Sequence, residues 1–301
     1  MIDHEKIQAF LAVVQYGNIT AAANAVFTTQ SHMSKQIRLL EEELGTQLLI
    51  RSKGHSEVSL TPHGKEFLQV ARKWEGIMKD FDQVRYAAEI TEVSIGAVDR
   101  INNFTLRDFY RKVLDEHRDI RIDCHTRHSR QLYTMMENQQ LDLAMVSIVY
   151  PVYSIKATAL YRENMVLIAA AGTDLPPVVK PSDLDPEKEI YSRWSDEFEV
   201  WHDQLWPGKK YRMHVGTSAM TPHYLNEPGR WSVVPDSTLH GLKENSSFTV
   251  HRILESYPAN KIYLLEQKHP RSSRAEAIAL VREKLLEYLR NESHLKLEKG
   301  L

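Results

Sequence analysis

The sequence predicts a mixed α plus α/β chain in three parts: a helical head ending in a small hairpin, one long helix, and a two-lobed α/β domain. Three observations carry this reading. Residues 18–51, NITAAANAVFTTQSHMSKQIRLLEEELGTQLLIR, place a short alanine-rich helix, a tight turn and a second amphipathic helix in succession. Phe67, Trp74 and Phe81 then recur every seven residues. From about Thr91 onward, short β-branched runs alternate with amphipathic helices. A chain of 301 residues has room for about two domains, each with enough material for a core.

In the head, Ile7, Phe10, Leu11 and Val14 fall at i, i+3, i+4 and i+7 and mark the buried face of a first helix, which Gly17 and Asn18 end. Thr20 is the expected cap of a second helix, where Ala21, Ala22, Ala23 and Ala25 let another helix pack closely. The turn falls at Phe27 to Thr29. A third helix runs from about Gln30 to Leu44, with Met33, Ile37, Leu40 and Leu44 inward and Gly45 just past its end. Its outer face carries Ser31, Lys35, Arg38 and Glu42. Hydroxyl and cationic groups on the second helix of such a pair suit phosphates and base edges in a major groove, although a charged helix face is by itself more often only a solvated one. The next segment tips the balance. Leu48 to Arg51 and Val58 to Leu60 pair as a hairpin around Ser52, Lys53, Gly54 and His55, a wing able to reach a backbone or minor groove beside the recognition helix. The head, residues 1–60, therefore reads as a winged helix-turn-helix.

Thr61 and Pro62 are a cap and a first helical position. The helix they open, within a linker at 61–90, carries Phe67, Trp74 and Phe81 with Val70, Ile77 and Val84 interleaved, a coiled-coil seam of dimerisation residues. At roughly 40 Å it is too long and too apolar along one stripe to stand alone in water. A second copy of the chain fits the strict heptad better than the alternative partner, the chain's own C-terminal domain.

In the remainder, Val93 to Val98, Arg121 to Thr126 and Asp142 to Ile148 read as strands separated by helices at Asn103 to His117 and Ser129 to Asn138, which implies parallel βαβ units. A second set has strands near Lys156 to Arg162, Met165 to Ala171, Glu189 to Ser192, Arg212 to Gly216 and Trp231 to Pro235, with helices near Asp196 to Leu205 and Ala219 to Asn226. A strand at Lys261 to Gln267 and a helix at Arg274 to Asn291 return to the first set. The domain at 91–301 thus divides into lobe I, about 91–160 and 264–291, and lobe II, about 161–263, joined by two crossing strands.

The ordered run from the alanine-rich helix through TTQSHMSKQIRLLEEELGTQLLIR, the wing, LTPHG and the long helix resembles the LysR-type transcriptional regulators. Thr29, Ser31 and Leu49 depart from the residues usual in that family, which bears on sequence preference and removes no polar contact group. The resemblance implies that Gln30, Ser31, Ser34, Lys35 and Arg38 face DNA, with Arg51 and Lys53 on the wing. The C-terminal domain, through LDLAMV at Leu141 to Val146 and WSVVP at Trp231 to Pro235, resembles the same family's effector domain, which is similar to periplasmic solute-binding proteins.

A two-lobed α/β domain takes its ligand where strand ends and helix N-termini face each other. The candidates there are Arg100, with Asn102 and Asn103, after the first strand; His128 and Ser129, with Arg127, after the second; and Ser192 to Trp194 and Thr217 to Met220 on the other lobe. Arg100, His128, Ser129, Trp194 and Ser218 are the principal choices. Ser129 and Ser218 are equally natural helix N-caps, and Arg100 is as readily a solvated side chain. Positive charge at Arg100 and His128 and an aromatic wall at Trp194 suggest a small anionic effector, such as a carboxylate.

Composition narrows the function. A net charge of −2 requires any DNA contact to come from local charge placement rather than from a basic domain. The single cysteine excludes an intramolecular disulfide framework and suits a reducing, cytoplasmic setting. Cys124 alternates with Ile120 and Ile122 and is expected to be an inert core thiol. MIDHEKIQAF is no signal peptide, and no apolar stretch approaches a membrane span. His125, Arg127 and His128 lack a matching second cluster at metal-ligand spacing, and His202 on its helix is expected to be surface or lobe packing. No nucleophile stands with a base in a recognisable motif, so neither enzyme activity nor a cofactor or metal is expected. The expected partners are double-stranded DNA at an inverted repeat, a small effector, a second copy in a homodimer or homotetramer, and RNA polymerase. The competing reading is a small-molecule binding protein whose head only docks or dimerises, which leaves the wing and the Lys35 and Arg38 face without purpose.

Overall fold

A computed structural model describes residues 2–51, 58–86, 90–208, 210–243, 247–255, 257–270 and 272–298. The chain folds as two compact bodies, one built by Met1–Ala88 with Asn138–Gln140 and one by Glu89–Glu137 with Leu141–Leu301. Each is described by itself.

The first body opens with α1 (His4–Tyr16), α2 (Ile19–Ala25) and α3 (Gln30–Leu44). Ile7, Phe10, Val13, Ala22, Ala23, Met33, Ile37 and Leu40 form its core, as the helical spacing requires. Asn18, not Thr20, caps α2: its side chain accepts from the Ala21 N–H at 2.6 Å, and Thr20 is already inside the helix. Strands β1 (Leu49–Arg51) and β2 (Val58–Leu60) pair antiparallel, Leu49 opposite Leu60, and make the expected wing. The tip residues Ser52, Lys53, Gly54 and His55 lie outside the described residues, as do the side chains of Arg51, Phe81 and Val84. Helix α4 (Pro62–Tyr86) starts where Thr61 Oγ1 accepts from the Gly64 N–H at 2.9 Å.

Along α4 the expected seam is only partly free. Val70, Trp74 and Ile77 are 59%, 36% and 42% exposed, an apolar stripe on the surface of this body. Phe67 is different. Its ring meets Phe10 edge-on at 5.2 Å, so it belongs to the head's own core and leaves the seam one position shorter than the heptad spacing suggests.

Helices α2 and α3 end in the same backbone motif with different residues at its left-handed position. After α3, Gly45 has φ 66°, and the Thr46 N–H reaches back to the Glu41 carbonyl at 3.1 Å. After α2, Phe27 takes that place with φ 56°, the Thr28 N–H reaching the Ala23 carbonyl at 2.9 Å. A Cβ-bearing aromatic residue is strained there, and the Phe27 side chain, 98% exposed, recovers nothing by burial. Replacing Phe27 with Asn, which tolerates this conformation, should raise stability by about 1 kcal/mol. Thermal melting checks it, and an unchanged or lower midpoint would refute the strain.

The second body contains a mixed sheet of strands β3 (Thr91–Ala97), β4 (Ile120–Thr126), β5 (Leu143–Val146), β6 (Ile155–Glu163), β13 (Asn260–Gln267) and β14 (Lys296–Leu297), in the order β14-β6-β13-β5-β3-β4. β3 pairs parallel with both β4 and β5, the βαβ arrangement expected of lobe I, through α5 (Arg107–Glu116) and α6 (Ser129–Glu137). The crossing strands β6 and β13 pair antiparallel from Ile155 with Gln267 to Glu163 with Asn260. Helix α10 (Ala275–Asn291) returns to this sheet and buries Ile278, Val281, Leu285 and Leu289. A five-residue π-helical turn, Ile101–Thr105, precedes α5, in place of the one continuous helix that the sequence predicts from Asn103.

Lobe II departs further from parallel βαβ. β7 (Met165–Ala170), β8 (Val178–Val179), β11 (Trp231–Pro235) and β12 (Phe248–Ile253) run in the order β11-β7-β12-β8, with β7 antiparallel to both its neighbours. The short parallel pair β9 (Ile190–Tyr191) and β10 (Met213–His214) stands apart, with α7 (Asp196–Leu205) between them in sequence. α8 (Thr221–Tyr224) and α9 (Leu239–Lys243) complete the lobe. Phe104, from the π-helical turn, packs into the lobe II core with Ile168, Ile190, Val215 and Leu242, so the two lobes share apolar contact.

Candidate nucleic-acid interface and effector cleft

The outer face of α3 and strand β1 form one groove of about 730 Å³, lined by Ser31, Ser34, Lys35, Arg38, Glu41 and Gln47 among others. Four of the seven expected DNA contacts are thus brought together. Gln30 is exposed at the start of α3 beside the cap, where Thr29 Oγ1 accepts from the His32 N–H at 3.2 Å. Arg51 ends β1, and Lys53 falls outside the described residues.

The acidic run Glu41, Glu42 and Glu43, which nearly cancels the head's positive charge in the sequence, is dispersed by the fold. Glu41 Oε1 accepts from the N–H groups of Leu48 and Leu49 at 2.8 and 3.1 Å and pins the wing to α3. Glu43 meets the buried Lys6 ammonium at 2.9 Å, which also reaches Asp3 at 2.9 Å and ties α1 to the end of α3. Hydrogen bonding to Lys6 holds the Asp3 and Glu43 carboxyls below their usual range. Only Glu42 faces Arg38, at 3.7 Å on the surface, a pair worth well under about 1 kcal/mol that a phosphate can displace. Lys35 is exposed and has no ion pair among the described residues. The roles of Lys6 and Glu41 are invisible in the sequence, since their partners lie 37 and about eight residues away.

In the second body, the carboxyl ends of β3, β9 and β10 meet. Arg100 follows β3 but is neither solvated nor free: it is 6% exposed and donates Nε–H to Glu163 Oε1 at 2.9 Å, with its Nη2 on the same oxygen. Glu163, 1% exposed at the end of β6, also accepts from Ser237 Oγ at 2.7 Å. Trp194 lies under Arg100 with its ring centroid 5.9 Å from the guanidinium carbon, and its indole N–H donates to the Val233 carbonyl at 2.8 Å. Ser218 is not an N-cap. Its N–H and Oγ both donate to Asp99, at 2.8 and 2.5 Å. Arg100, Trp194 and Ser218 are therefore gathered as expected, with Arg100 already neutralised.

His128 and Ser129 stand at the end of β4, where the Arg127 N–H reaches the Ala97 carbonyl of β3 at 3.2 Å. His128 is exposed and precedes α6, its N–H donating to Gln131 Oε1 at 3.3 Å; Ser129 is buried as the first helical residue rather than the cap. Cys124 is exposed, against the expectation of a core thiol, because β4 is the sheet's edge strand and cover fades along it from Ile120 through Ile122. Partial burial still pushes its thiol pKa up, outweighing the opposite pull of the neighbouring Tyr110 hydroxyl, which disfavours a reactive thiolate. His202 is lobe packing: it is buried, with Nε2 2.8 Å from Glu189 Oε2.

A groove of about 470 Å³ runs between the lobes, lined by Ser147 and Val149 after β5, Ser195 and Glu197 at the start of α7, and Lys261 and Tyr263 of β13. Its walls come from three distant segments, so no local pattern marks it.

A winged helix-turn-helix with a polar groove on its recognition helix, joined to a two-lobed α/β sensor body, defines a DNA-binding transcriptional regulator with an effector-binding domain. Family models match accordingly: the bacterial regulatory helix-turn-helix protein, lysR family, over residues 4–65, and the LysR substrate binding domain over 88–289. The chain belongs to the LysR family. It is 24% identical over 262 residues to the HTH-type transcriptional regulator HdfR of Yersinia pestis (strain Pestoides F), covering 83% of this chain and 86% of that one. Its fold is similar to a full-length OxyR variant from Pseudomonas aeruginosa, with TM-score 0.67 and 15% identity over 100% of this chain and 99% of that one. It is also similar to full-length CbnR complexed with its target DNA, with TM-score 0.62 and 18% identity over 96% and 99%. Among the described residues no helix is long and apolar enough to cross a membrane.

Proposed function

We propose that the protein binds an imperfect inverted repeat at a promoter as a homodimer, or as a homotetramer built from dimers, and that a small effector in the inter-lobe cleft modulates this binding. The observation that carries the reading is the groove in which Ser31, Ser34, Lys35 and Arg38 line one wall and the wing strand the other. Ser31 and Ser34 suit phosphates and base edges, Lys35 and Arg38 supply charge, and Gln30, Arg51 and Lys53 extend the contact at either end. The apolar stripe of Val70, Trp74 and Ile77 supports pairing through α4, and two reading heads related by a two-fold axis match an inverted repeat. Effector binding shifts lobe closure and thereby the separation of the heads, with RNA polymerase as the final partner at the promoter in the cytoplasm. The chain's own work is then regulation rather than catalysis.

The test is a nuclease footprint on DNA upstream of the protein's own and neighbouring reading frames at two salt concentrations. Salt-sensitive protection over an inverted repeat is expected. Lys35→Ala should lower affinity roughly tenfold and reduce the salt slope by about 1 per head, with an unchanged melting temperature, because Lys35 lies on the exposed face. No protection even at low salt would make the head a docking module. Normal binding by Lys35→Ala with early melting would mean that the wrong face of α3 was assigned.

A further inference from the structure

Resting on the cleft reading above, we propose that Asp99 is a built-in anion: its carboxylate fills the place an anionic effector would take at Thr217 and Ser218, so the cleft admits an uncharged or cationic ligand and refuses small carboxylates and phosphates.

Asp99 stands just past β3, and the donors that meet it cross from lobe II. Its Oδ1 accepts from Thr217 Oγ1 at 2.7 Å and from Asn103 Nδ2 at 2.8 Å. Its Oδ2 accepts from the Ser218 N–H at 2.8 Å and from Ser218 Oγ at 2.5 Å. A carboxylate offers about four lone-pair sites, and these donors use all of them. Two hydroxyls, a backbone N–H and an amide converging on one point are the groups that would hold a ligand's carboxylate, and the chain supplies that carboxylate itself.

The nearby cation is consumed in the same way. Arg100 gives two N–H groups to Glu163 Oε1, and Ser237 occupies the other oxygen. A second acid entering here would meet the carboxylates of Asp99 and Glu163, with the Arg100 guanidinium already committed to Glu163, and like charges repel. The inter-lobe groove repeats the pattern independently. Glu197 lines its α7 wall, the neighbouring Asp196 and Glu199 are paired with Arg193 at 3.0 and 2.8 Å, and its cation Lys261 lies 3.7 Å from Glu298. Among the described residues, the buried hydroxyls of Ser192, after β9, and Thr221, opening α8, have no hydrogen-bond partner. Such groups are costly unless something bonds them, and a neutral polar ligand can.

The experiment is thermal melting of the full-length protein, Asp99→Ala and Asp99→Asn in sodium acetate, sodium phosphate and sodium chloride at matched ionic strength, with a footprint in each salt. The wild type should respond to the three salts as Asp99→Asn does, since the general effect of these ions on burial is common to both. Asp99→Ala should melt about 5 °C or more lower in chloride. Acetate, entering the vacated space, should restore at least half of that loss, while Asp99→Asn, whose amide fills the space, should gain nothing beyond that general effect. If Asp99→Ala does not fold in chloride, its refolding yield in acetate against chloride gives the same comparison, with recovery expected in acetate. A gain of the wild type in acetate or phosphate beyond that of Asp99→Asn would overturn the proposal, as would an Asp99→Ala variant that melts like the wild type or that acetate fails to rescue. Rescue in melting with an unchanged footprint would uphold the built-in anion and remove the cleft from control of DNA binding.

Discussion

Gly64→Ala should uncouple the wing from the head and abolish tight DNA binding. A Cβ on Gly64 would stand 2.1 Å from the Leu48 carbonyl oxygen and 3.0 Å from its carbon, backbone atoms that cannot swing aside. The same corner carries the Thr61 Oγ1 bond to the Gln47 carbonyl at 2.7 Å and the Thr61 N–H bond to the Leu48 carbonyl at 3.0 Å. Either α4 starts elsewhere or the strand leading into the wing moves, and overpacking of this kind costs about 3 kcal/mol. Footprint affinity should fall more than tenfold, with the melting of the first body lowered. Gly216→Ala, whose added Cβ would meet nothing within 4 Å, is the matched control and should behave as wild type. Equal affinity in Gly64→Ala and Gly216→Ala would show that wing placement does not matter.

Arg100→Ala should be the most damaging single change in the second body. It leaves Glu163, 1% exposed, with a buried charge held only by Ser237. Removing one partner of a buried pair costs about 3–5 kcal/mol, far more than the pair itself contributes. Replacing both groups with apolar residues of similar size, Arg100→Met with Glu163→Leu, should recover most of the loss, since neither charge then needs a partner. Calorimetric melting of the single and double variants checks this. A double variant as unstable as Arg100→Ala would mean that the guanidinium stabilises the lobes through Trp194 rather than through Glu163.

The head is largely legible because its information is local. Helical spacing marks Phe10, Met33, Ile37 and Leu40 as core, and Gly17 and Gly45 as ends, all within one or two turns of chain. The errors there have local causes too. Asn18 outcompetes Thr20 as a cap within the same turn of chain, and Phe67 satisfies a heptad and a head contact at once, so spacing alone assigns it to the seam. In the second body β12 escapes the sequence reading because the apolar alternation of FTVHRI is short and does not match its burial, Val250 being exposed while His251 and Ile253 are buried; its place between β7 and β8 is made by backbone hydrogen bonds that carry no residue signature. Likewise the directions of the lobe II strands, which the sequence leaves open, are set by pairing: β7 is flanked by antiparallel neighbours.

By itself the sequence determined the order of parts, the winged helix-turn-helix, the long helix, the family and the polar face of α3, because periodicity, caps and an ordered motif are properties of neighbouring residues. The tertiary structure alone decided how the charges are used. Glu41 serves the wing, Glu43 serves Lys6, Glu163 neutralises Arg100 across 63 positions, and Asp99 meets Ser218 across 119. A charge has no fixed meaning until burial sets its dielectric surroundings and folding chooses its partner, so Arg100 in the sequence reads as a ligand contact and in the fold is already paired.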